Sequence, residues 1–554
     1  MDIFSWITVK ADVIGAFFFL GETLLPKNVP QQSLYLKGTN IMIIKIALLL
    51  IFFAMMITVG ILCRRSATDV NGFVLGGRSV GPWLTAFAYG TSYFSAVIFI
   101  GYAGQFGWKF GVASTWIGIG NAVLGSLLAW VILGRRTRLM TQHLGSATMP
   151  EFFEKRYASK NLKIAAAIII FIFMIPYTAS LYNGLSRLFS MAFAIDYSVC
   201  IIAMALLTAV YVIVGGYMAT AVNDFIQGII MLFGIVAVIA AVLNQNGGLM
   251  GSIAGLAEVT DPALEYGEVP GIFASMFGPD PINLLAVVIL TSLGTWGLPQ
   301  MVGKFYAIKS EKAIGKGTII STLFAIVVAG GCYFLGGFGR LFYTPGENGA
   351  VVFDNIIPTM LEKLPDLLIA IVVILVLSAS MSTLSSLVLT SSSTVTIDLI
   401  KPLSKNFNEK KQLITLRIFI AVFVIISAVI ALLQHMYNIS SIAQLMGISW
   451  GAMAGAFLAP FLYGLYWKRT TKVACWVSFG FGVVVMIANM LARSAFPAII
   501  QSPVNCGAFV MIVSLVLVPV VSLLTPAPKK DAVDGMFSCY DAESVAPAKE
   551  YLGK

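Results

Sequence analysis

Two stretches of the chain place hydroxyl side chains among apolar neighbours. The first reads Tyr89, Gly90, Thr91, Ser92, Tyr93, Phe94, Ser95, Ala96, with five hydroxyls in eight residues beside a glycine. The second runs from Ser378 to Ser386 and continues through Thr390, Ser391, Ser392, Ser393 and Thr394. Within it Ala379, Ser382, Thr383 and Ser386 fall at i, i+3, i+4 and i+7, one face of a helix. Neither stretch holds a formal charge. Hydroxyls, together with carbonyls freed where a helix is interrupted, are the oxygen ligands a small hard cation takes up. A neutral set suits a monovalent ion that must be released again. The same residues also serve two plainer ends: a small-residue seam for close helix contact, or hydroxyls bonded back to their own helix.

Three further places stand out. Gly294, Thr295, Trp296, Gly297, Leu298, Pro299 and Gln300 put two glycines and a proline in seven apolar-flanked residues, which should kink or interrupt a helix. Asp224 follows Gly215, Gly216 and Tyr217 in the run Asn223, Asp224, Phe225, Ile226, Gln227. It reads either as a helix cap favoured by the dipole or as part of an ion path, with no basic loop neighbour. Arg187, near Tyr177, Tyr182 and Asn183, either pairs with a substrate carboxylate or snorkels and pairs structurally.

The elements that position these residues follow from composition. Of 554 residues 58% are hydrophobic and only 11% charged, with a mean hydropathy of +0.91. Soluble domains run nearer a quarter charged, so the outer solvent of this chain is lipid. A cytosolic enzyme, a secreted module and a disordered scaffold are excluded. The net charge of +10 is no sign of a nucleic-acid partner, which needs a clustered basic patch. Six scattered cysteines without a CxxC pair, and two histidines, His143 and His435, indicate neither disulfides, zinc nor a cofactor. No nucleophile motif suggests an enzyme.

A spanning helix needs roughly 20 apolar residues to cross about 30 Å of hydrocarbon. Thirteen runs qualify: 43–63, 82–102, 112–134, 164–193, 199–214, 225–243, 282–305, 319–338, 367–397, 418–433, 442–467, 473–491 and 504–524. The loops after the odd-numbered runs, the fifth excepted, and the C-terminal tail hold 26 of the 35 Lys and Arg residues, Lys304 among them. That side is expected to be cytoplasmic, with the N-terminus outside and the C-terminus inside. Residues 1–41 fit neither a span nor a signal peptide; they are expected to be a poorly ordered extension or an over-called start before Met42. The transmembrane domain is placed at 42–526 and a cytoplasmic disordered tail at 527–554. The breaks in the second and seventh runs lie five helices apart and share a Gly-Thr pair. Paired discontinuous helices of this kind point to an inverted-repeat transporter with its site at the midplane.

Over about residues 42–524 the chain resembles the sodium:solute symporter family. The resemblance rests on Leu75 to Ser79 (Leu-Gly-Gly-Arg-Ser), on Tyr211 through Gly215 to Ala219 leading to Asn223 and Asp224, and on Gly297 to Pro299. It rests also on Met381 to Ser386 and on Ala459 and Pro460 through Gly464 to Arg469. The sodium/pantothenate and sodium/proline branches look nearest. The resemblance implies an all-α polytopic membrane protein of 13 transmembrane helices with a five-plus-five inverted-repeat core of the leucine-transporter type, one helix before it and two after. It implies one sodium site, held by the carbonyls of Thr91, Phe94 and Ala379 and the hydroxyls of Ser382 and Thr383, with Asp224 on the ion's exit. The solute is expected beside the break in the second run, at Tyr93 and Ser95 and against Thr295, Trp296 and Pro299. Tyr177 and a turn at 447–451, with Ser449 and Trp450, would form its walls. The implied function is sodium-coupled import of a small organic solute, such as proline or pantothenate, by alternating access across the plasma membrane. The partners are then Na+, the solute and lipid; a monomer should suffice, with oligomers left open. The alternative is a proton-coupled or sodium-independent transporter of the same fold with Asp224 titrating. Two departures touch the solute: proline transporters have an Asp where this chain has Tyr93, and a Trp about where it has Thr291. A third is Val473-Ala474-Cys475-Trp476, where the family usually has Gly-Ala.

Overall fold

The computed structural model describes residues 31–541, apart from 194, 263, 265, 347–348, 405–406 and 438–440. Residues 1–49 and 50–554 form two compact units. Of the 1–41 extension, residues 1–30 lie outside the described residues, and from Gln31 on the chain is helical.

The helices, in chain order, begin with α1 (Gln31–Cys63), α2 (Val70–Leu75), α3 (Pro82–Tyr93), α4 (Ala103–Phe110), α5 (Thr115–Gly120), α6 (Arg135–His143) and α7 (Met149–Tyr157). Then come α8 (Lys160–Phe193), α9 (Tyr197–Asn244), α10 (Gly248–Ala257), α11 (Pro281–Gly297), α12 (Pro299–Ala307), α13 (Glu311–Ala325) and α14 (Gly331–Gly336). The chain continues with α15 (Phe353–Glu362), α16 (Asp366–Thr394), α17 (Glu409–Tyr437), α18 (Ile442–Tyr466), α19 (Lys472–Leu491), α20 (Pro503–Leu524) and α21 (Lys530–Phe537). Among the described residues there is no strand, only an isolated bridge between Val80 and Ile308.

Among the described residues, ten helical stretches are long and apolar enough to cross a membrane, or eleven if the pair α11 and α12, bent by 47°, counts as one span. The thirteen runs read from the sequence lie largely on helix, the second and seventh with a break inside them, and some adjacent runs merge. α9 carries the fifth and sixth runs in 48 residues. At 1.5 Å per residue that is about 72 Å, more than twice the hydrocarbon thickness. It is interrupted at Gly216, whose φ of 58° and ψ of −156° lie outside the helical region. A Cβ there would press on the Phe73 carbonyl, so glycine is required on both counts.

Two breaks set the site. α3 stops at Tyr93 because Phe94 is extended (φ −93°, ψ 119°), and helix resumes in a π-type turn at Val97–Tyr102. α11 stops at Gly297, with Leu298 extended (φ −84°, ψ 121°) and Pro299 opening α12. Elsewhere the helices approach through glycine. A Cβ on Gly107 of α4 would overlap the backbone of Gly336 on α14, and one on Gly336 would overlap the Ala103 carbonyl. Gly107→Leu should therefore destabilise the fold by about 3 kcal/mol or more, seen as loss of monodisperse protein on heating in detergent.

Two expectations are corrected. The tail from 527 is not disordered throughout: α21 and the turn Ser538–Asp541 are ordered on basic residues. Asp534 takes an ion pair from Lys468 at 2.6 Å, and that ammonium holds the exposed carboxyl below its ordinary range. Arg156 lies over Phe537, Arg136 stacks on Tyr466 and Tyr540, and the Tyr540 hydroxyl donates to the Leu465 carbonyl. Phe537 and Tyr540 thus give cation-facing rings to a segment whose polar composition suggested none. Residues 542–554 lie outside the described residues. The loop bases are also not all interfacial charges. Arg78, Arg138, Arg156, Lys163 and Lys304 are buried. Arg138, for example, donates to the Ile308 carbonyl and to Gln142.

Candidate functional site

α16 is buried along its hydroxyl face, and that face meets the broken end of α3. The Thr383 hydroxyl lies 3.1 Å from the Thr91 carbonyl, 3.3 Å from the Phe94 carbonyl and 3.1 Å from the Ala379 carbonyl. One hydroxyl carries one proton and can donate to one of the three. The other carbonyls face it as surplus acceptors in a dry interior, an electron-rich pocket that a cation would satisfy. The Ser382 hydroxyl joins the cluster, 2.7 Å from the Thr91 hydroxyl and 2.6 Å from Oδ1 of Asp224. All five residues proposed for the cation are thus brought together, each 0 to 1% exposed. The plainer reading accounts for their neighbours, since Ser385, Ser392 and Ser393 donate to Ser382, Val388 and Thr390 carbonyls in their own helix, and in part for Thr91 and Thr383, whose hydroxyls also lie within bonding distance of the Phe87 and Ala379 carbonyls.

Asp224 is not a helix cap. It lies inside α9, whose cap is Asp196, and is fully buried. Nor does it lack a basic neighbour. Lys304 of α12 sits 3.6 Å from its Oδ2 and donates to the Ser386 hydroxyl at 3.0 Å. The Ser386 hydroxyl lies 2.7 Å from that of Ser92 on α3. Counting bases by loop hid this lysine, because α12 carries the chain on past the break at Leu298 with nearly every residue buried, Lys304 among them. A cavity lined by Pro299, Gln300, Lys304, Ser386 and Tyr217 opens from here toward Ala147, Thr148 and Met149, in the segment between the third and fourth apolar runs.

The solute residues divide. Tyr93, Ser95, Tyr177 and Trp450 come together: the Trp450 ring lies 6.1 Å from Tyr93 and 5.8 Å from Tyr177, edge-on to the latter. The hydroxyls of Tyr93, Ser95 and Tyr177 and the indole nitrogen of Trp450 are buried and make no hydrogen bond of good geometry, with Ser95 and Trp450 facing the Tyr177 hydroxyl. Buried polar groups are normally paired, so this aromatic cluster keeps hydrogen-bonding capacity to spare. The other residues are committed elsewhere. The Thr295 hydroxyl lies within bonding distance of the Gly125 and Ser292 carbonyls, the Trp296 indole donates to the Leu124 carbonyl, and Ser449 to the Phe173 carbonyl. Pro299 lines the cavity beside Lys304. The turn at 447–451 lies within α18, which runs unbroken from Ile442 to Tyr466 and brings Trp450 to the cluster. Its Gly451 instead packs on Met486 and Gly507. Arg187 donates to Asn355 and lies 4.0 Å from Asp354, in a structural pairing.

The profile of the sodium:solute symporter family matches residues 73–482, which include every residue of both clusters. The chain belongs to the sodium:solute symporter family. As a member it is a multi-pass membrane transporter rather than an enzyme. Among relatives it is 29% identical over 498 residues to the osmoregulated proline transporter OpuE of Bacillus subtilis (strain 168), covering 87% of this chain and 94% of that one. It is 30% identical over 504 residues to a sodium/proline symporter of Staphylococcus aureus (strain JH9), covering 86% and 92%. Among solved structures, the outward-open, substrate-bound Na+-coupled sialic acid symporter shares its fold, with a TM-score of 0.70 at 17% identity over 88% of this chain and 98% of that one. The tail segment 530–541 lies beyond the family match.

Proposed function

We propose that this symporter imports proline, or a solute of the same small carboxylate-bearing kind, together with one sodium ion by alternating access. The observation that carries the reading is the set of three carbonyls around the Thr383 hydroxyl, built across the break of α3 and the face of α16. Sodium held there by Thr91, Phe94, Ala379, Ser382 and Thr383 bridges two helices and holds the outward-open form. The solute then docks against Tyr93, Tyr177 and Trp450, its ring on the aromatic faces and its carboxylate on the spare hydroxyl and indole donors. Closure and inward opening release both, the ion past Asp224. The frame for this motion is a five-plus-five inverted repeat within thirteen crossings. α9 supplies two of these, with the N-terminus outside and the C-terminus cytoplasmic.

The driving force is adequate. A membrane potential of about 100 mV is worth roughly 2.3 kcal/mol per charge, and a roughly tenfold sodium gradient adds about 1.4 kcal/mol. One sodium per solute then sustains accumulation of roughly several hundredfold.

Radiolabelled uptake into proteoliposomes tests the reading. With sodium outside, proline should accumulate above equilibrium, and with potassium alone it should not. A panel of pantothenate, short monocarboxylates and sugars run beside it reads out the solute class, and accumulation of a sugar instead of proline would overturn the assignment. Uptake that follows pH and ignores sodium would favour the proton-coupled alternative with Asp224 titrating.

A further inference from the structure

Lys304 places a basic amine in the interior with 3% of its side chain exposed, yet nothing in sodium binding as described requires it. It lies between the cation cluster and the cavity. From the cluster, Ser382 touches Oδ1 of Asp224; the other oxygen, Oδ2, faces the Lys304 ammonium; and Lys304 lines the cavity. The ammonium also bonds the Ser386 hydroxyl and lies 5.3 Å from the centre of the Tyr217 ring. Oδ2 accepts no hydrogen bond of good geometry, and the side-chain amide of Gln300, on the cavity wall, is buried without a partner. A lysine ammonium is a compact monovalent cation on a flexible stem. Here it occupies the carboxylate a departing sodium ion would meet next.

We propose that Lys304 is a tethered counter-cation that competes with sodium for Asp224 and thereby speeds the ion's release. The inference rests on the sodium-symport reading. Sodium leaving the Thr383 cluster displaces the ammonium from Asp224 toward the cavity. When the ammonium returns, it excludes the ion from the carboxylate, and sodium passes on. Without the ammonium, the ion would meet an unpaired buried carboxylate and be held there. Because Lys304 stands on α12, beyond the break at Leu298, bending at that break also changes its distance from Asp224.

The test compares wild type, K304Q, K304R and D224N/K304Q for sodium-dependent proline uptake in proteoliposomes. K304Q should lower the sodium half-saturation by about fivefold or more, the lower end of usual coupling between linked sites. Its maximal rate should fall while the solute KM stays within about twofold, below that same coupling range. K304R, which keeps a cation, should stay on the wild-type side of that shift. In D224N/K304Q the lowering should vanish, because it acts through Asp224. An unchanged or raised half-saturation in K304Q, or a lowering that persists in the double variant, overturns the proposal. Should K304Q fail to insert, labelling of wild-type Lys304 by an amine-reactive reagent, read by mass spectrometry, decides. Sodium should raise it relative to potassium, and equal labelling overturns the proposal. Wild-type uptake indifferent to sodium would instead sink the symport reading itself.

Discussion

Ser382→Ala combined with Thr383→Ala should raise the sodium concentration needed for half-maximal uptake by about a hundredfold or more. Contacts to a charged group are worth roughly 1.5–3 kcal/mol each, and every 1.4 kcal/mol is about tenfold. The two hydroxyls reach from α16 into the cation cluster: Thr383 to the Thr91 and Phe94 carbonyls, Ser382 to the Thr91 hydroxyl. Both substitutions remove one oxygen-bearing group from a helix that stays packed, so the fold should survive. The solute KM measured at saturating sodium should move far less. Thr383→Ser, which keeps the hydroxyl, should recover most of the loss in the Thr383 position. A rise in solute KM equal to the rise in sodium requirement would remove these residues from the ion site and return them to the small-residue seam.

Trp450→Phe should raise the solute KM by between about tenfold and a hundredfold, with the sodium half-saturation nearly unmoved. The substitution keeps an aromatic ring between Tyr93 and Tyr177 and removes the buried indole donor, which faces the Tyr177 hydroxyl without a hydrogen bond of good geometry. If a solute carboxylate accepts that donor, its loss costs roughly 1.5–3 kcal/mol, the range for a hydrogen bond to a charged group. Alanine is the poorer probe, since emptying a fully buried tryptophan site costs about 3–5 kcal/mol of stability. The readout is uptake against solute concentration at fixed high sodium. An unchanged KM would place the solute elsewhere and leave the spare donors unexplained.

How much of this was legible beforehand differs from residue to residue. The breaks at Phe94 and Leu298 were readable because Gly, Pro and hydroxyl residues crowd stretches that are otherwise apolar. The 3.6-residue period put Ala379, Ser382 and Thr383 on one face, and their convergence with Thr91 and Phe94 followed the family resemblance. For Asp224 only the capping role fails: the helix does break at Gly216, as Gly215 and Gly216 suggest, but it resumes at once, which leaves Asp224 inside the second half of α9 rather than at its start. Lys304 is not legible because charge counted by loop carries no depth, and only the burial of α12 beyond the break makes it Asp224's partner. Thr295 and Trp296 were assigned to the solute because they flank a break. A break, however, frees backbone without saying which way side chains turn, and these two bond the backbone at Gly125 and Leu124. The ordered tail was hidden for a related reason: Phe537 and Tyr540 matter only because Arg156 and Arg136 come to face them.

Coupling itself is tested most directly by following both species at once. Proteoliposomes with the membrane potential clamped at zero are given radiolabelled sodium and radiolabelled proline. Sodium entry should rise when proline is added and proline entry when sodium is added, in a ratio of about one to one, as a single ion site requires. Both stimulations should be lost together in the Ser382→Ala, Thr383→Ala protein. Proline entry at the same rate with and without sodium, or sodium entry indifferent to proline, would contradict sodium-coupled transport through this site.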